Sequence, residues 1–241
     1  MFNWLYYAKI IRMIVNFNQI SMAFYTTYLT NKYGFKLKKV KTSHERIALR
    51  LEYAKLVLNK LNISVEVINK EKLPKGGQYL LISNHRSIVD PLIIQVALEN
   101  TKVDGFWVAK KELYNSFFFG TFTKNAGTVL LDRDAPNMAP FFKDTKEIVK
   151  EGHSIFIFPE GTRNKENTPL SSFKEGSRII ALKNRLPILP VHIKSNANEV
   201  LKDAIMNRTK GLKIQIDIGD IIDYKDKTSL EENYRKQFIK E

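Results

Sequence analysis

Two short apolar runs in the middle of the chain read YLLIS at residues 79–83 and SIFIF at residues 154–158. Neighbouring positions in both runs are apolar, so a strand formed there presents apolar side chains on both of its faces. Strands of this kind belong to sheets that helices cover on both sides. We therefore expect both runs to be central strands of a layered sheet.

Short β-rich segments and helical segments alternate on either side of these two runs. The other strand candidates are residues 63–68, 103–108, 128–131, 188–193 and 212–218, and the helix candidates are residues 88–98, 137–150, 176–183 and 230–240. Such alternation predicts an α/β fold, with a mainly parallel central sheet flanked by helices. We assign residues 61–241 to this α/β domain.

Composition narrows the class of protein. The chain has 241 residues, of which 44% are hydrophobic and 27% are charged, as in ordinary folded proteins. It has no cysteine, which excludes disulfides, cysteine-ligated metal sites and a thiol nucleophile. With only four histidines as well, we expect no metal site. The net charge of +14 favours a polyanionic partner: nucleic acid, an anionic membrane or a phosphorylated substrate.

The first quarter of the chain differs from the rest in charge and pattern. Residues 1–60 contain eleven basic and two acidic side chains, and residues 4–30 repeat apolar positions at helical spacing. The apolar face holds Tyr7, Ile10, Ile11, Ile14, Phe17, Phe24, Tyr25 and Tyr28, and the polar face holds Lys9, Arg12, Asn16, Gln19, Thr26, Thr27 and Thr30. Five lysines follow: Lys32, Lys36, Lys38, Lys39 and Lys41.

This pattern predicts an amphipathic helix lying in the membrane interface, with the lysines near anionic headgroups. The alternative is a helix docked on the rest of the protein. A membrane-spanning helix is less favoured, because polar residues interrupt the run of about 20 apolar residues that it needs. A second helix begins after Thr42, which forms a capping box with Glu45. We therefore expect residues 1–60 to be a two-helix amphipathic module for membrane association.

Polar residues directly follow the strand at residues 79–83. His85 and Asp90 lie at a junction between strand and helix, where the carboxylate can accept the Nδ1 proton and leave Nε2 free as a base. The chain has no Gly-x-Ser-x-Gly motif, so such a base would activate a hydroxyl of the substrate. For the pair alone, a simpler interpretation is that Asp90 caps the following helix and His85 occupies a turn.

Other strands also end in charged residues. Arg163 and Glu160, with Gly161 between them, follow the strand at residues 154–158, Arg133 follows residues 128–131, and Lys110 follows residues 103–108. The carboxyl ends of parallel strands meet at one edge of a sheet, which is where α/β proteins bind ligands. The convergence of several cations at this edge predicts an anion site beside His85 and Asp90.

Four blocks in this region resemble a known family. NHRSIVD at residues 84–90 resembles the NHxxxxD motif of the glycerolipid acyltransferases, and FPEGTR at residues 158–163 matches another of their blocks. GTVLLDR at residues 127–133 and LPILPV at residues 186–191 resemble two more. The blocks occur in the family's order, and they are most similar to the branch that acylates lysophosphatidate.

The resemblance implies that the chain moves a fatty acyl group from a thioester to the free sn-2 hydroxyl of 1-acylglycerol 3-phosphate, giving phosphatidate. The donor is acyl-CoA or an acyl carrier protein, no cofactor is required, and the other partners are membrane lipids. The His85 and Asp90 pair predicts general-base catalysis without an acyl-enzyme, since the substrate supplies the nucleophile. The amphipathic amino-terminal segment predicts a peripheral or monotopic enzyme, which we place at the cytoplasmic face of a membrane. Residues 61–241 then form the catalytic domain.

The residues expected to do this fall into three groups. The catalytic pair is His85 and Asp90. The expected phosphate- and glycerol-binding residues are Lys110, Arg133, Glu160, Gly161, Thr162 and Arg163. The acyl-channel candidates are Phe117, Phe118, Phe119 and Phe122, for which ordinary core or membrane contact is an equal alternative.

Three other functions remain as alternatives. In the first alternative, the chain is an acyltransferase whose acceptor is glycerol 3-phosphate or another lysophospholipid. In the second, the basic chain binds nucleic acid, but it has no recognised nucleic-acid motif, and its bases cluster beside an aromatic helix. In the third, the chain is an inactive lipid-binding module, against which the intact His85 and Asp90 pair argues.

Overall fold

Helices and strands alternate along most of the chain. The structure is a computed structural model that describes residues 17–166 and 168–239. The helices are α1 (Phe17–Lys39), α2 (Ser43–Lys60), α3 (Asp90–Ala97), α4 (Lys111–Tyr114), α5 (Gly120–Asn125), α6 (Ala139–Lys150), α7 (Gly176–Asn184), α8 (Ala197–Met206) and α9 (Leu230–Phe238), with a short 3₁₀ helix at Lys70–Lys72. The strands are β1 (Ile63–Ile68), β2 (Leu80–Ser83), β3 (Gly105–Lys110), β4 (Val129–Leu131), β5 (Ser154–Ile157), β6 (Ile188–Ile193) and β7 (Leu212–Ile218).

The seven strands form one sheet in the order β1-β7-β6-β2-β5-β3-β4. All neighbouring pairs are parallel except β6 and β7, which are antiparallel. Strand β2 lies between β5 and β6, with Leu80 opposite both Ile155 and Ile188. The predicted α/β fold with a mainly parallel sheet is confirmed, and all seven strands lie within two residues of their predicted bounds.

The sheet separates two apolar clusters, as the two-faced strands predicted. Leu81 and Phe156 face one cluster, which also contains side chains of α1, α2, α3 and α8. Leu80 and Ile155 face the other cluster, which contains side chains of α6, α7 and α9. The two runs predicted to be central strands are therefore covered by helices on both faces.

The predicted helices are present, but three others were not predicted. The segments at residues 88–98, 137–150, 176–183 and 230–240 correspond to α3, α6, α7 and α9, whose bounds differ from the predicted ones by at most two residues. Helices α4, α5 and α8 were not among the helices predicted from the sequence. Helices α4 and α5 are only four and six residues long, too short for an apolar repeat to be seen.

The first predicted helix needs a correction at its carboxyl end. Residues 4–16 of that prediction lie outside the described residues. From Phe17 the helix continues to Lys39, beyond the predicted end at residue 30. Lys36, Lys38 and Lys39 therefore lie in the last turn of α1 rather than after it, where positive charge suits the helix dipole.

Helix α2 begins as predicted. Thr42 Oγ1 accepts the backbone N–H of Glu45 at 3.2 Å, and the Glu45 carboxylate accepts the backbone N–H of Thr42 at 3.3 Å. The capping box that the sequence indicated is thus formed. Further along α2, the buried guanidinium of Arg50 donates to the carbonyl oxygens of Gly105 and Ala126, which joins this helix to β3 and to the end of α5.

Helix α1 has one buried face and one exposed face. Leu29, Tyr33 and Leu37 are buried, and Gly34 lies so close to the backbone of Thr121 and Phe122 that a Cβ there would overlap it. Thr30, assigned to the polar face from the sequence, is buried and hydrogen-bonded to the Tyr53 hydroxyl at 2.8 Å. The opposite face exposes four aromatic side chains: Phe17, Phe24, Tyr28 and Phe35.

The division of the chain into residues 1–60 and residues 61–241 stays a prediction. Leu29, Tyr33, Tyr53 and Val57 belong to the same apolar cluster as the strand residue Leu81. None of the helices within residues 17–166 and 168–239 combines the length and the apolar character needed to cross a bilayer.

Candidate active site

His85 and Asp90 meet at the carboxyl end of β2. His85 lies in the loop that follows the strand, and Asp90 is the first residue of α3. His85 Nδ1 is 2.8 Å from Asp90 Oδ2, which also accepts the backbone N–H groups of Arg86 and Ser87, each at 2.7 Å. Because Oδ2 acts as an acceptor toward its two amide partners, we assign the proton of this contact to Nδ1. In the neutral imidazole with this tautomer, Nε2 is the nitrogen that can accept a proton.

The Asp90 carboxylate is fixed by its surroundings. Asp90 is only 1% exposed, whereas the His85 side chain is 18% exposed. Within the described part of the chain, nothing forms a hydrogen bond with Asp90 Oδ1. The predicted helix cap is not formed, because the N-cap residue of α3 is Val89 and the Asp90 carboxylate accepts only N–H groups that precede the helix. The carboxylate instead holds the loop before α3 and orients the imidazole.

Two aromatic rings support the imidazole from one side. The His85 ring stacks on Phe158, with ring centroids 4.0 Å apart and planes 11° apart, and Phe158 stacks on Trp107 at 4.7 Å. These rings restrict the rotation of the imidazole and shield one of its faces from water. Sequence reasoning placed Phe158 and Trp107 only in strands, although Phe158 opens the FPEGTR block.

Glu160 lies behind the His85 loop. Its Oε1 accepts the backbone N–H of His85 at 2.6 Å, and its Oε2 accepts the backbone N–H of Ser171 at 2.8 Å. The side chain is 3% exposed, and burial raises the pKa of its carboxyl group, although the two amide contacts oppose that rise. Glu160 was expected to bind the substrate, but in the structure both of its carboxylate oxygens accept backbone N–H groups.

Three expected cations lie at the same sheet edge. Lys110 ends β3, Arg133 follows β4, and Arg163 follows β5. Burial lowers the pKa of the Lys110 amine, and the positive charges of Arg133 and Arg163 lower it further. Lys110 is therefore close enough to both guanidinium groups to be affected by their charge.

Gly161 allows Arg133 to reach the turn after β5. The Arg133 Nη2 donates to the carbonyl oxygen of Gly161 at 3.1 Å. Gly161 has φ of +71°, and a Cβ at this position would overlap the guanidinium of Arg133. Glycine suits this positive φ, which L side chains rarely adopt, and a Cβ here would displace the flexible end of Arg133. The next residue, Thr162, is exposed.

The cations line two clefts rather than one. A cleft of about 340 Å³ is lined by Arg163, Arg86 and Lys165, together with Glu166 and Glu199. A second cleft of about 400 Å³ is lined by Lys110, Lys111 and Arg133, together with Asp132 and Asp134. The predicted anion-binding residues are therefore divided, and the contact between Arg133 and Gly161 connects the loops of the two clefts.

The four phenylalanines predicted to line an acyl channel lie in two different environments. Phe117, Phe118 and Phe119 are exposed, at 83%, 52% and 38%, in the loop before α5. Phe122 lies on α5 and packs on Tyr53, with ring centroids 4.6 Å apart. The channel stays a prediction.

Comparisons with known proteins agree on one family. A family model described as Acyltransferase matches residues 64–194. A protein of Helicobacter pylori named 1-acyl-sn-glycerol-3-phosphate acyltransferase is 30% identical over 183 residues, which cover 73% of this chain and 76% of that protein. A protein of Bacillus subtilis with the same name is 31% identical over 152 residues, which cover 62% of this chain and 73% of that protein.

The fold is also shared with a solved structure. The crystal structure of the 1-acyl-sn-glycerophosphate acyltransferase of Thermotoga maritima has a TM-score of 0.66 to this chain, with 90% of each chain covered. Their sequences are 23% identical, so this likeness concerns the fold alone.

Proposed function

Because this chain belongs to the acyltransferase family, we propose that it transfers a fatty acyl group from a thioester donor to the sn-2 hydroxyl of 1-acylglycerol 3-phosphate. The product is phosphatidate, a precursor of membrane phospholipids. The family resemblance inferred from the four sequence blocks is confirmed. The observation that carries the proposed chemistry is the contact of 2.8 Å between His85 Nδ1 and Asp90 Oδ2.

His85 is the general base of the proposed reaction. Its Nε2 removes the proton from the acceptor hydroxyl as that oxygen attacks the thioester carbonyl. When the tetrahedral intermediate collapses, the carbon–sulfur bond breaks and the imidazolium returns its proton to the thiolate. The buried Asp90 carboxylate stabilises the imidazolium between these two steps. The substrate supplies the nucleophile, so no acyl-enzyme forms.

The cationic edge binds the phosphate of the acceptor. A phosphomonoester carries about two negative charges near neutral pH. Arg163, Arg133 and Lys110 supply the opposing charges, and the hydrogen bond from Arg133 to the Gly161 carbonyl oxygen, two residues before Arg163, brings their loops together. Gly161 and Thr162 form the turn beside this phosphate, and Glu160 holds the loop of His85. General-base assistance supplies about 10²- to 10⁴-fold, so binding and orientation of the two substrates supply much of the rest.

We propose that the enzyme associates peripherally with the cytoplasmic face of a membrane. The exposed side of α1 bears Phe17, Phe24, Tyr28 and Phe35, and α1 packs on α5, directly after the exposed loop of Phe117–Phe119. Lysines at the carboxyl end of α1 attract anionic headgroups. Burial of these aromatic side chains in the interface supplies the apolar part of binding.

One assay tests the proposed reaction. The purified full chain is incubated with lysophosphatidate and either an acyl-CoA or an acylated carrier protein, and phosphatidate is measured. Formation of phosphatidate with one donor supports the proposal and identifies the donor class. Glycerol 3-phosphate and other lysophospholipids, tested as acceptors in the same assay, would define a different acceptor if they were preferred.

Two variants test the mechanism. His85→Ala removes the base, and Asp90→Asn removes the charge that stabilises the imidazolium, so we expect each to lose about 10²-fold or more in turnover. Circular dichroism checks that each variant is folded. A folded His85→Ala protein with turnover close to that of the wild type would contradict the mechanism.

A further inference from the structure

The carboxyl-terminal helix α9 reaches the catalytic loop from behind. Helix α9 lies outside the residues that the family model matches, which end at residue 194. Its Tyr234 is fully buried, and the hydroxyl accepts the backbone N–H of Asn84 at 3.2 Å and donates to the carbonyl oxygen of Val191 at 2.8 Å. Asn84 immediately precedes His85, so this contact fixes the backbone at the start of the catalytic loop.

The hydrogen bonds of the Tyr234 hydroxyl are complete. A tyrosine hydroxyl has one proton to donate and accepts up to two hydrogen bonds. Its proton goes to the carbonyl of Val191, so His192, whose Nδ1 is 3.0 Å away, carries its own proton on Nδ1 and donates it. Burial lowers the pKa of His192 to about 4, so this ring is neutral at pH 7. One hydroxyl thereby joins α9, β6 and the catalytic loop.

The same helix holds the catalytic loop by a second route. Glu231 Oε2 accepts the backbone N–H of Phe173 at 2.8 Å, and Glu231 Oε1 accepts Nε of Arg235 at 2.8 Å. These contacts hold the segment that contains Ser171, whose backbone N–H binds Glu160. Glu160 in turn accepts the backbone N–H of His85. Helix α9 is therefore connected to both His85 and the residue before it.

We propose that α9 is a positioning element for His85, in which Tyr234 acts through the backbone of Asn84 and Glu231 acts through the Ser171 segment and Glu160. This inference rests on the proposed use of His85 as the base. Neither side chain touches substrate in this mechanism. Each keeps the imidazole aligned with Asp90, and catalysis is sensitive to such alignment, because a displacement of about 1 Å can cost about 10²-fold in rate.

Two substitutions remove these contacts and preserve side-chain shape. Tyr234→Phe removes only the hydroxyl, and the ring retains its packing on Phe238 and Phe173. Glu231→Gln leaves one acceptor oxygen for two N–H donors, so one of the two contacts is lost. A matched control is Tyr53→Phe, which removes a buried hydroxyl bonded to Thr30 on the side of the sheet away from α9.

The kinetic test uses the full chain with short-chain, water-soluble substrates. We expect Tyr234→Phe and Glu231→Gln each to lower kcat by about tenfold or more, with the KM values of both substrates changed by less than about twofold. Tyr53→Phe is expected to keep its kcat. If Tyr234→Phe and Glu231→Gln, folded at the assay temperature, lose no more kcat than Tyr53→Phe, the proposal is wrong.

Proton NMR adds a measurement that a merely stabilising residue would leave unchanged. The Nδ1 proton shared with Asp90 reports the alignment of His85, and His153 Nδ1, 2.7 Å from Asp104 Oδ1, provides an internal reference. Loss of the first resonance in His85→Ala assigns it. In Tyr234→Phe the first resonance is expected to shift or broaden while the reference stays in place. An unmoved His85 resonance would overturn the proposal.

The two hypotheses fail in different ways. If His85→Ala keeps its turnover, the proposed mechanism is wrong, and the proposal that α9 positions His85 for catalysis is wrong as well. If His85→Ala is inactive while both α9 variants turn over normally, the mechanism stands and only the inference about α9 is wrong.

Discussion

Glu160 Oε1 accepts the backbone N–H of His85 at 2.6 Å, although the two residues are 75 positions apart in the sequence. Glu160 follows β5 and His85 follows β2, and these two strands are neighbours in the sheet. A buried carboxylate from one strand end thus sets the position of the His85 backbone at the next strand end. The contact indicates that Glu160 positions the His85 loop, whereas from the sequence we expected Glu160 to bind the substrate.

Glu160→Gln distinguishes these two functions. The carboxylate accepts two backbone N–H groups with two oxygens, and an amide offers only one oxygen, so one buried N–H group loses its partner. We expect kcat to fall by about tenfold or more, while KM for the acceptor changes by less than about twofold. A rise in KM with an unchanged kcat would instead place Glu160 in contact with the substrate.

Arg163→Ala tests the phosphate site. Loss of a charge-assisted hydrogen bond costs about 1.5–3 kcal/mol, so KM for the phosphorylated acceptor is expected to rise by about tenfold or more. KM for the acyl donor is expected to stay nearly constant. Lys150→Ala, which removes an exposed cation paired with Glu147 on α6, is the matched control. Equal damage to both KM values would show that Arg163 does not act on the acceptor phosphate.

The exposed face of α1 is tested by point substitution, because its other face is buried in the protein. Phe24 and Phe35 are 74% and 58% exposed. The double variant Phe24→Asp and Phe35→Asp is expected to bind anionic vesicles at least about tenfold more weakly, since burial of one such side chain contributes about 1.5–3 kcal/mol. Vesicle sedimentation measures this.

The control for that experiment is Ile179→Asp, which adds the same kind of charge at an exposed apolar position of α7. It is expected to sediment with the vesicles much as the wild type does. If the folded α1 variant also sediments as the wild type does, α1 is not the membrane-binding surface.

His192 predicts an acid-sensitive contribution to stability. Burial lowers its pKa from 6.5 to about 4, so between these pH values the unfolded chain binds more protons than the folded protein. The contribution of His192 is therefore present above pH 6.5 and is lost as the pH falls toward 4, with an upper limit of about 3 kcal/mol. The glutamine of a His192→Gln variant does not titrate. As the pH falls from 6.5 toward 4, we therefore expect the free energy of unfolding of this variant to rise relative to that of the wild type.

Denaturant unfolding of both proteins at several pH values between 7 and 4 measures this difference. The raised pKa of Glu160 contributes with the opposite sign, because a carboxyl group with a raised folded-state pKa favours the folded state on acidification. That contribution is common to both proteins and cancels in the comparison. Parallel pH profiles would contradict the prediction.

The sequence predicts those features that depend on local pattern. The strands β2 and β5 were evident because their neighbouring positions are apolar, and the start of α2 was evident because Thr42 and Glu45 are three residues apart. His85 and Asp90 are five residues apart, so their contact was also within reach of sequence reasoning. The charged residues after the other strands were identified from their positions at strand ends, and the family resemblance supported them, but neither argument specified their contacts.

Contacts between distant segments were not predictable from such patterns. Tyr234 binds the backbone of Asn84 across 150 positions, and Glu160 binds a backbone amide, which any residue type supplies. The stacking of Phe158 on His85 depends on the order of the strands in the sheet, which periodicity does not specify. The extension of α1 beyond residue 30 was missed, although Leu29, Tyr33 and Leu37 continue the apolar repeat at four-residue spacing and lysines favour the carboxyl end of a helix.

Gly34 lets α1 lie directly on α5, so the helix that bears the exposed aromatic face is packed against the helix that follows the Phe117–Phe119 loop. An enzyme held to a bilayer by this surface draws its lipid acceptor from two dimensions rather than three. Its rate then follows the mole fraction of acceptor in the membrane, and dilution of that lipid with inert lipid slows the enzyme even when the total amount of acceptor is constant. Under the proposed function, phosphatidate formed at this surface would be released into the leaflet from which its precursor came.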